Sequence, residues 1–103
     1  MGTIAKKYDA FRHGSISDLI GATITRNKVV LTRGVAARGA EFIARAMEDV
    51  RNFDAFTPDN DPYKEHDFGA FDLDGDKLFW KIDNYGGHEG IDLLLTVMFA
   101  SEY

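Results

Sequence analysis

The dipeptide Asp74-Gly75 constrains the fold of this chain more than any other feature, because alternating segments flank it on both sides. Asp-Gly between two such segments predicts a two-residue β-hairpin turn of the primed type. The predicted strands are Asp67–Leu73 and Lys77–Asn84. This turn fixes the cross-strand pairs as Leu73 with Asp76, Asp72 with Lys77, Phe71 with Leu78, Ala70 with Phe79 and Gly69 with Trp80. The register places opposite charges across from each other at Asp72 and Lys77, and it leaves room beside Gly69 for the Trp80 indole.

The predicted hairpin has two different faces. One face carries the residues that we predict to lie in the core, namely Phe71, Leu73, Leu78, Trp80 and Ile82. The other carries Phe68, Ala70, Phe79 and Lys81 and is partly apolar. This second face is either covered by a helix or exposed as a patch with a function.

Helices and one further strand are predicted around the hairpin. Ile4, Tyr8 and Phe11 share one helical face, with Lys6, Lys7 and Arg12 on the solvent side, and His13-Gly14 ends that helix. Residues Ala36–Phe53 show an amphipathic helical period, and Lys28–Thr32 is rich in β-branched residues typical of a strand. The apolar segment Ile91–Glu102 fits a buried helix, and a strand is the alternative.

The fold class that follows is α+β. A small antiparallel sheet with a central β-hairpin, formed by Lys28–Thr32 and the two hairpin strands, is covered by two to three helices. With 103 residues we predict a single domain, residues 1–103. The absence of cysteine excludes a disulfide scaffold and a thiolate zinc site. No apolar run approaches the length needed to cross a bilayer, so we predict no membrane association and a cytoplasmic location.

The charge of the chain is unevenly distributed. Of its net charge of −5, residues 1–52 contribute +4 and residues 53–103 contribute −9. Such an acidic half disfavours direct binding to nucleic acid and favours a partner with a basic surface. The alternative is an ordinary solvated acidic face. As partner-binding residues we predict Asp59, Asp61, Glu65, Asp72, Asp74 and Asp76.

A second group of residues is a candidate for chemistry. Glu65-His66-Asp67 combines two carboxylates with an imidazole, which are the groups used for metal binding or for acid–base catalysis. However, adjacent strand residues point to opposite faces, and the hairpin register, extended, places His66 across from Asp83. Asp72, Asp74 and Asp76 match the first calcium ligands of an EF-hand loop, but lysine replaces its glycine. We therefore predict no metal and no cofactor.

Three stretches together resemble a known family. FTPDNDPYKEHDFGAF, FWKIDNY and the final ASEY are similar to small alphaproteobacterial proteins of unknown function, often encoded on plasmids and in phage-derived regions. The resemblance runs from Tyr8 to Tyr103 and includes Val29–Ala37. Ser15–Arg26 resembles an insertion, and the loop Gly86–Gly90 is shorter than its family counterpart. The resemblance implies a mobile-element context, in which small acidic proteins frequently counteract host defence.

Three functional hypotheses result. The first is a non-enzymatic inhibitor of a prokaryotic defence system, anti-CRISPR or anti-restriction, whose acidic surface engages the basic nucleic-acid-binding groove of a host defence protein. The second is a metal-dependent or acid–base enzyme centred on Glu65, His66 and Asp67. The third is an interaction module that forms a homodimer through the face carrying Phe68 and Phe79.

Overall fold

A four-stranded sheet with helices on one face forms the fold. The structure, a computed structural model, describes residues 3–13, 27–62 and 64–103. Its strands are β1 (Lys28–Leu31), β2 (Phe68–Leu73), β3 (Asp76–Asn84) and β4 (Leu93–Phe99), in the order β1-β4-β3-β2. The helices are α1 (Thr3–Arg12), α2 (Arg33–Ala36) and α3 (Ala40–Asn52), and short 3₁₀ turns occupy His88–Gly90 and Ala100–Glu102. The predicted α+β class is confirmed, whereas the predicted insertion Ser15–Arg26 lies outside the described residues.

The hairpin is confirmed in every pair of the predicted register. β2 and β3 pair Leu73 with Asp76 and continue to Phe68 with Lys81. Asp74 and Gly75 both have positive φ, at 54° and 82°, as a type I′ turn requires. Glycine is required at position 69 because a Cβ there would overlap the indole nitrogen of Trp80. The two-residue turn signal thus sets which side chains lie on each face of the hairpin.

The predicted helix over Ile91–Glu102 is wrong, and its alternative is correct. Leu93–Phe99 is a strand that pairs antiparallel with β3 and parallel with β1. Because β4 lies between two other strands, its backbone groups are satisfied on both sides and both of its faces accept apolar residues. A continuous apolar run is therefore compatible with either structure, and tertiary pairing decides between them.

The sheet is mixed rather than wholly antiparallel. β1 runs parallel to β4, with Val29 across from Leu95 and Leu31 across from Val97. Parallel neighbours need a long crossover connection, which here contains α2, α3 and the hairpin. No local turn links β1 to its partner, so the direction of pairing has no short-range signal.

The helices cover the predicted core face of the hairpin. Phe42, Ala46 and Val50 of α3 are buried against Leu78 and Trp80, as the helical period predicted. α3 begins at Ala40 rather than Ala36, because Gly39 has a φ of 94° and separates it from α2. None of the helices in the described ranges is long and apolar enough to cross a membrane.

The second face of the hairpin carries no helix among the described elements. Its Phe68 and Phe79 rings lie 5.1 Å apart between centroids, and Tyr103 approaches both of them edge-on, at 6.4 and 5.6 Å. Phe68 and Phe79 are half-buried, while Tyr103 is 78% exposed. This face, on which Val30 is also exposed, remains a partly apolar surface.

Glu102 fixes the last 3₁₀ turn to the start of α2. Its carboxylate accepts hydrogen bonds from the Thr32 hydroxyl at 2.7 Å and from the backbone N–H groups of Gly34 and Phe99, both at 2.9 Å. These hydrogen bonds lower the pKa of Glu102 below its ordinary value, and the bond from the Thr32 hydroxyl has the largest effect. The segment ASEY therefore has a structural role in joining β4 to α2.

Candidate functional site

An open cleft lies where the ends of α1 and α3 meet the loop that precedes β2. Its volume is about 590 Å³. The lining residues are Asp9, Arg12, His13, Arg51, Asn52, Phe53, Asp54, Phe56 and His66. Charged groups of both signs and two aromatic rings converge on this cleft, so it is the first candidate for a site.

Arg12 forms the floor of the cleft. The sequence placed it on the solvent side of α1, but it is only 5% exposed, and that prediction is wrong. Its Nη1 donates to the carbonyl oxygens of Val50 at 2.8 Å, Phe53 at 2.7 Å and Arg51 at 3.3 Å. These carbonyls lie at the end of α3, where the Val50 oxygen also accepts the Phe53 backbone N–H at a long 3.4 Å and where the helix dipole favours a cation. Arg12 therefore acts as a cap on α3 supplied by another helix.

A chain of polar contacts continues from Arg12 to His66. Arg12 Nη2 lies 3.0 Å from Asp9 Oδ1, and the Asp9 carboxylate oxygens lie 3.0 and 2.9 Å from His66 Nδ1. On the other side, His66 Nε2 is 3.5 Å from Asp61 Oδ2. Asp61 is 7% exposed, and its Oδ1 accepts the backbone N–H groups of Glu65 and His66. The chain links α1, the end of α3 and the loop in one network.

His66 is held by its backbone and by a ring as well. Its φ is 57°, a left-handed conformation that a non-glycine residue adopts only when its surroundings favour it. The imidazole stacks on Phe56, with ring centroids 3.9 Å apart and an interplanar angle of 2°. A second, smaller cleft of about 200 Å³ lies next to the stack and is also lined by Phe56 and His66. The stack is thus the wall between two clefts.

The contacts of His66 bear on the prediction of a site centred on Glu65, His66 and Asp67. His66 does not lie across from Asp83, because β2 begins only at Phe68 and the imidazole turns towards Asp9 instead. In an Asp–His pair that serves as a base, the second ring nitrogen faces the substrate. Here that nitrogen faces Asp61. Within residues 3–13, 27–62 and 64–103, no three histidine, aspartate or glutamate side chains are close enough together to hold a metal ion.

The predicted acidic residues of the hairpin lie together at its tip and are paired with bases. Arg45 of α3 makes two hydrogen bonds to Asp74, at 2.9 and 2.6 Å, and Arg38 Nη1 lies 2.8 Å from Asp76 Oδ2. The Arg45 hydrogen bond lowers the pKa of Asp74 and raises that of Arg45. Asp72 is more loosely paired with Lys77, 3.8 Å away. These contacts fasten the hairpin tip to α3 and to the segment just before it, and they balance the charge of the tip locally.

The other predicted acidic residues lie in the loop of residues 54–67. Asp59 is exposed, Glu65 is half-buried, and Asp61 is buried in the network described above. Sequence reasoning missed Asp9 and misplaced Arg12, the partners of this loop. The i, i+3 spacing of Asp9 and Arg12 was a visible signal that they share a side of α1, but their contacts 38 to 57 residues away left no trace in it.

Comparison with known proteins gives a family and no function. A family model described as a protein of unknown function (DUF3768) matches residues 31–92, a range that contains α2, α3, the loop and the hairpin. No curated protein and no solved structure matches the chain significantly. Because the family match spans more than half of the chain, this protein belongs to the DUF3768 family of proteins of unknown function.

Proposed function

We propose that this protein is a non-enzymatic binding protein that inhibits a prokaryotic defence system, either CRISPR–Cas or restriction. Its acidic surface would engage the basic nucleic-acid groove of a host defence protein, in the cytoplasm and without binding nucleic acid itself. The charge of −9 over residues 53–103 supports a basic partner. The resemblance to proteins encoded on plasmids and in phage-derived regions supports an action against host defence.

The observation that carries the proposal is the pairing pattern of the acidic residues. At the hairpin tip, Arg38, Arg45 and Lys77 already balance the carboxylates. In the loop of residues 54–67, by contrast, Asp54, Asp59, Glu65 and Asp67 make no ion pair with another described side chain. A basic partner gains more from unpaired carboxylates, because no internal ion pair is broken when it binds. Asp59 and Glu65 are therefore the principal contacts with the partner, and Asp72, Asp74 and Asp76 are secondary contacts. Asp61 is buried in the network around His66 and makes no contact with the partner.

The first experiment measures phage plating on cells that express the protein, with and without an active CRISPR–Cas or restriction system that targets the phage. We expect plating to be rescued only where the system is active. A pull-down from the same cells then identifies the bound subunit. Failure to rescue plating against several CRISPR types and restriction systems would overturn the proposal.

Two charge-reversed variants distinguish the loop from the rest of the surface. One replaces Asp54, Asp59 and Glu65 with lysine, and we expect it to abolish rescue and binding. The matched control replaces three acidic residues of α3, Glu41, Glu48 and Asp49, with lysine and changes the net charge by the same amount. Circular dichroism confirms that both variants are folded. Equal loss of binding in both would show that net charge, rather than the loop, is what the partner recognises.

A second candidate function is an acid–base reaction at His66, and one observation favours it. His66 is paired with Asp9 and lies on the wall shared by two clefts, so a ligand in either cleft would contact the imidazole. Elemental analysis and thermal melting with and without EDTA test the metal-dependent form of this hypothesis. A metal at stoichiometric amount, with a lower melting temperature in EDTA, would support the metal-dependent form. The absence of both would set aside a tightly held metal and would leave metal-free acid–base catalysis as the remaining form of the hypothesis.

A further inference from the structure

The outward side of β3 carries four residues whose order is unusual for a solvated strand. Lys77, Phe79, Lys81 and Asp83 alternate with the buried residues Leu78, Trp80 and Ile82, so they lie on the face without a described helix. The row reads base, aromatic, base, acid. On the neighbouring strands, Phe68, Ala70 and Thr96 lie beside its centre, and Met98, on the same side of β4, is buried.

We propose that this face binds the same face of a second copy of the chain. In the dimer, β3 of one copy lies antiparallel over β3 of the other, and the two-fold axis passes between Phe79 and Lys81. Lys77 then faces Asp83 of the second copy. Phe79, against which Tyr103 of its own chain packs edge-on, faces Lys81 of the second copy. Each of these contacts occurs twice by symmetry, as an isologous interface requires.

The charges favour this position of the two-fold axis over the two adjacent positions, at Phe79 and at Lys81. An axis through Phe79 would place Lys77 over Lys81 of the second copy. An axis through Lys81 would place this lysine over Lys81 of the second copy. Both put like charges together. Only the axis between Phe79 and Lys81 lets all four residues face one another, and it gives two ion pairs and two contacts of a lysine with an aromatic ring.

The shapes of the neighbouring residues agree with the same axis. On β2, Phe68 is across from Lys81 and Ala70 is across from Phe79, so Phe68 would face the small Ala70 of the second copy. Stacked sheets lie about 10 Å apart and cross at about 30°, which displaces residues at the ends of the row by about 5 Å. A lysine side chain spans that displacement, so the Lys77–Asp83 contacts tolerate the twist.

The area of the face predicts a weak dimer. Four strands about 4.8 Å apart and four outward rows about 7 Å apart give a face of roughly 400 to 500 Å². Stable interfaces bury about 800 Å² on each partner, so this smaller contact predicts a weak dimer that forms only at high protein concentration. The internal pairs Lys77–Asp72 and Lys81–Asp83, at 3.8 and 3.3 Å, are exposed and exchange readily.

Sedimentation velocity of the full chain between about 10 and 500 µM tests the proposal. We expect the mass to rise from 11.5 kDa towards twice that value. Lys77→Asp and Asp83→Lys should each weaken the dimer at least about tenfold by creating like-charge contacts, and the double variant should restore it. Glu48→Lys, on α3, is the control and should leave association unchanged.

Two results would overturn the dimer. One is a monomer throughout the concentration range. The other is a dimer that both single variants leave intact, since its interface would then lie elsewhere, for example at the edge strand β1. Circular dichroism of each variant separates loss of association from loss of folding. Neither result depends on the defence-inhibition proposal, which the plating assay tests separately.

Discussion

Replacing Arg12 with methionine should be among the most destabilising single changes in the protein. Methionine keeps most of the buried aliphatic stem but removes the donors to three carbonyl oxygens at the end of α3 and to Asp9. Two of those bonds, at 2.7 and 2.8 Å, are strong. A buried acceptor left without a donor costs about 1–3 kcal/mol, and the Val50 oxygen would keep the Phe53 N–H at 3.4 Å. Allowing for water that enters through the open cleft, we expect a loss of about 3–4 kcal/mol.

Chemical denaturation and thermal melting measure this loss. For a domain of this size it corresponds to a fall in melting temperature of about 12–25 °C. Arg51→Met is the matched control, because Arg51 lies in the last turn of the same helix but is exposed, so its effect should stay within about 0.5 kcal/mol. A loss below about 1 kcal/mol for Arg12→Met, or one equal to that of the control, would refute the view that Arg12 caps α3.

Three further predictions follow from single contacts. Gly69→Ala should lower stability by about 1–3 kcal/mol, measured by urea denaturation, because its Cβ would overlap the buried Trp80 ring; unchanged stability would show that the ring moves freely. Glu102 has a lowered pKa, so its contribution to stability is present above about pH 4.3 and disappears as the pH falls. Glu102→Gln should therefore lower the free energy of unfolding by less than about 1 kcal/mol at pH 7 and leave it unchanged near pH 2. A stability difference that does not depend on pH would contradict this. Burial raises the pKa of Tyr8, so stability should decline as the pH rises above about 10, and Tyr8→Phe should decline less in a melting series from pH 8 to 11; parallel declines would count against it.

Local signals were enough to predict the hairpin and α3. Asp74-Gly75 specifies a turn, and the turn determines each pair down to Phe68 with Lys81. α3 shows its buried stripe in sequence because the helical period repeats over three turns. The segment Leu93–Phe99 lacks both kinds of signal, since an apolar run has no period and no turn joins β4 to β1.

The cleft was less predictable than the fold. His66 was recognised as a candidate, but its partner Asp9 is 57 residues away. Arg12 looked like a solvent-facing residue because basic residues seldom lie inside a protein unless polar partners surround them. Those partners are backbone carbonyls, and backbone groups leave no mark in a sequence.

The position of β4 has a consequence for how the protein folds. The last strand along the chain lies between β1 and β3, so β1 has no strand to pair with until Leu93–Phe99 is in place. The hairpin and α3 depend on local contacts and should form early, whereas the sheet closes in a late step that joins segments about 65 residues apart. β1, with its exposed Val29 and Val30, has one open edge in the complete sheet, and until β4 is in place both of its edges are open to other chains. The refolding yield should therefore fall as the protein concentration rises. Hydrogen-exchange labelling during refolding should show that the amides of β2 and β3 become protected before those of β1.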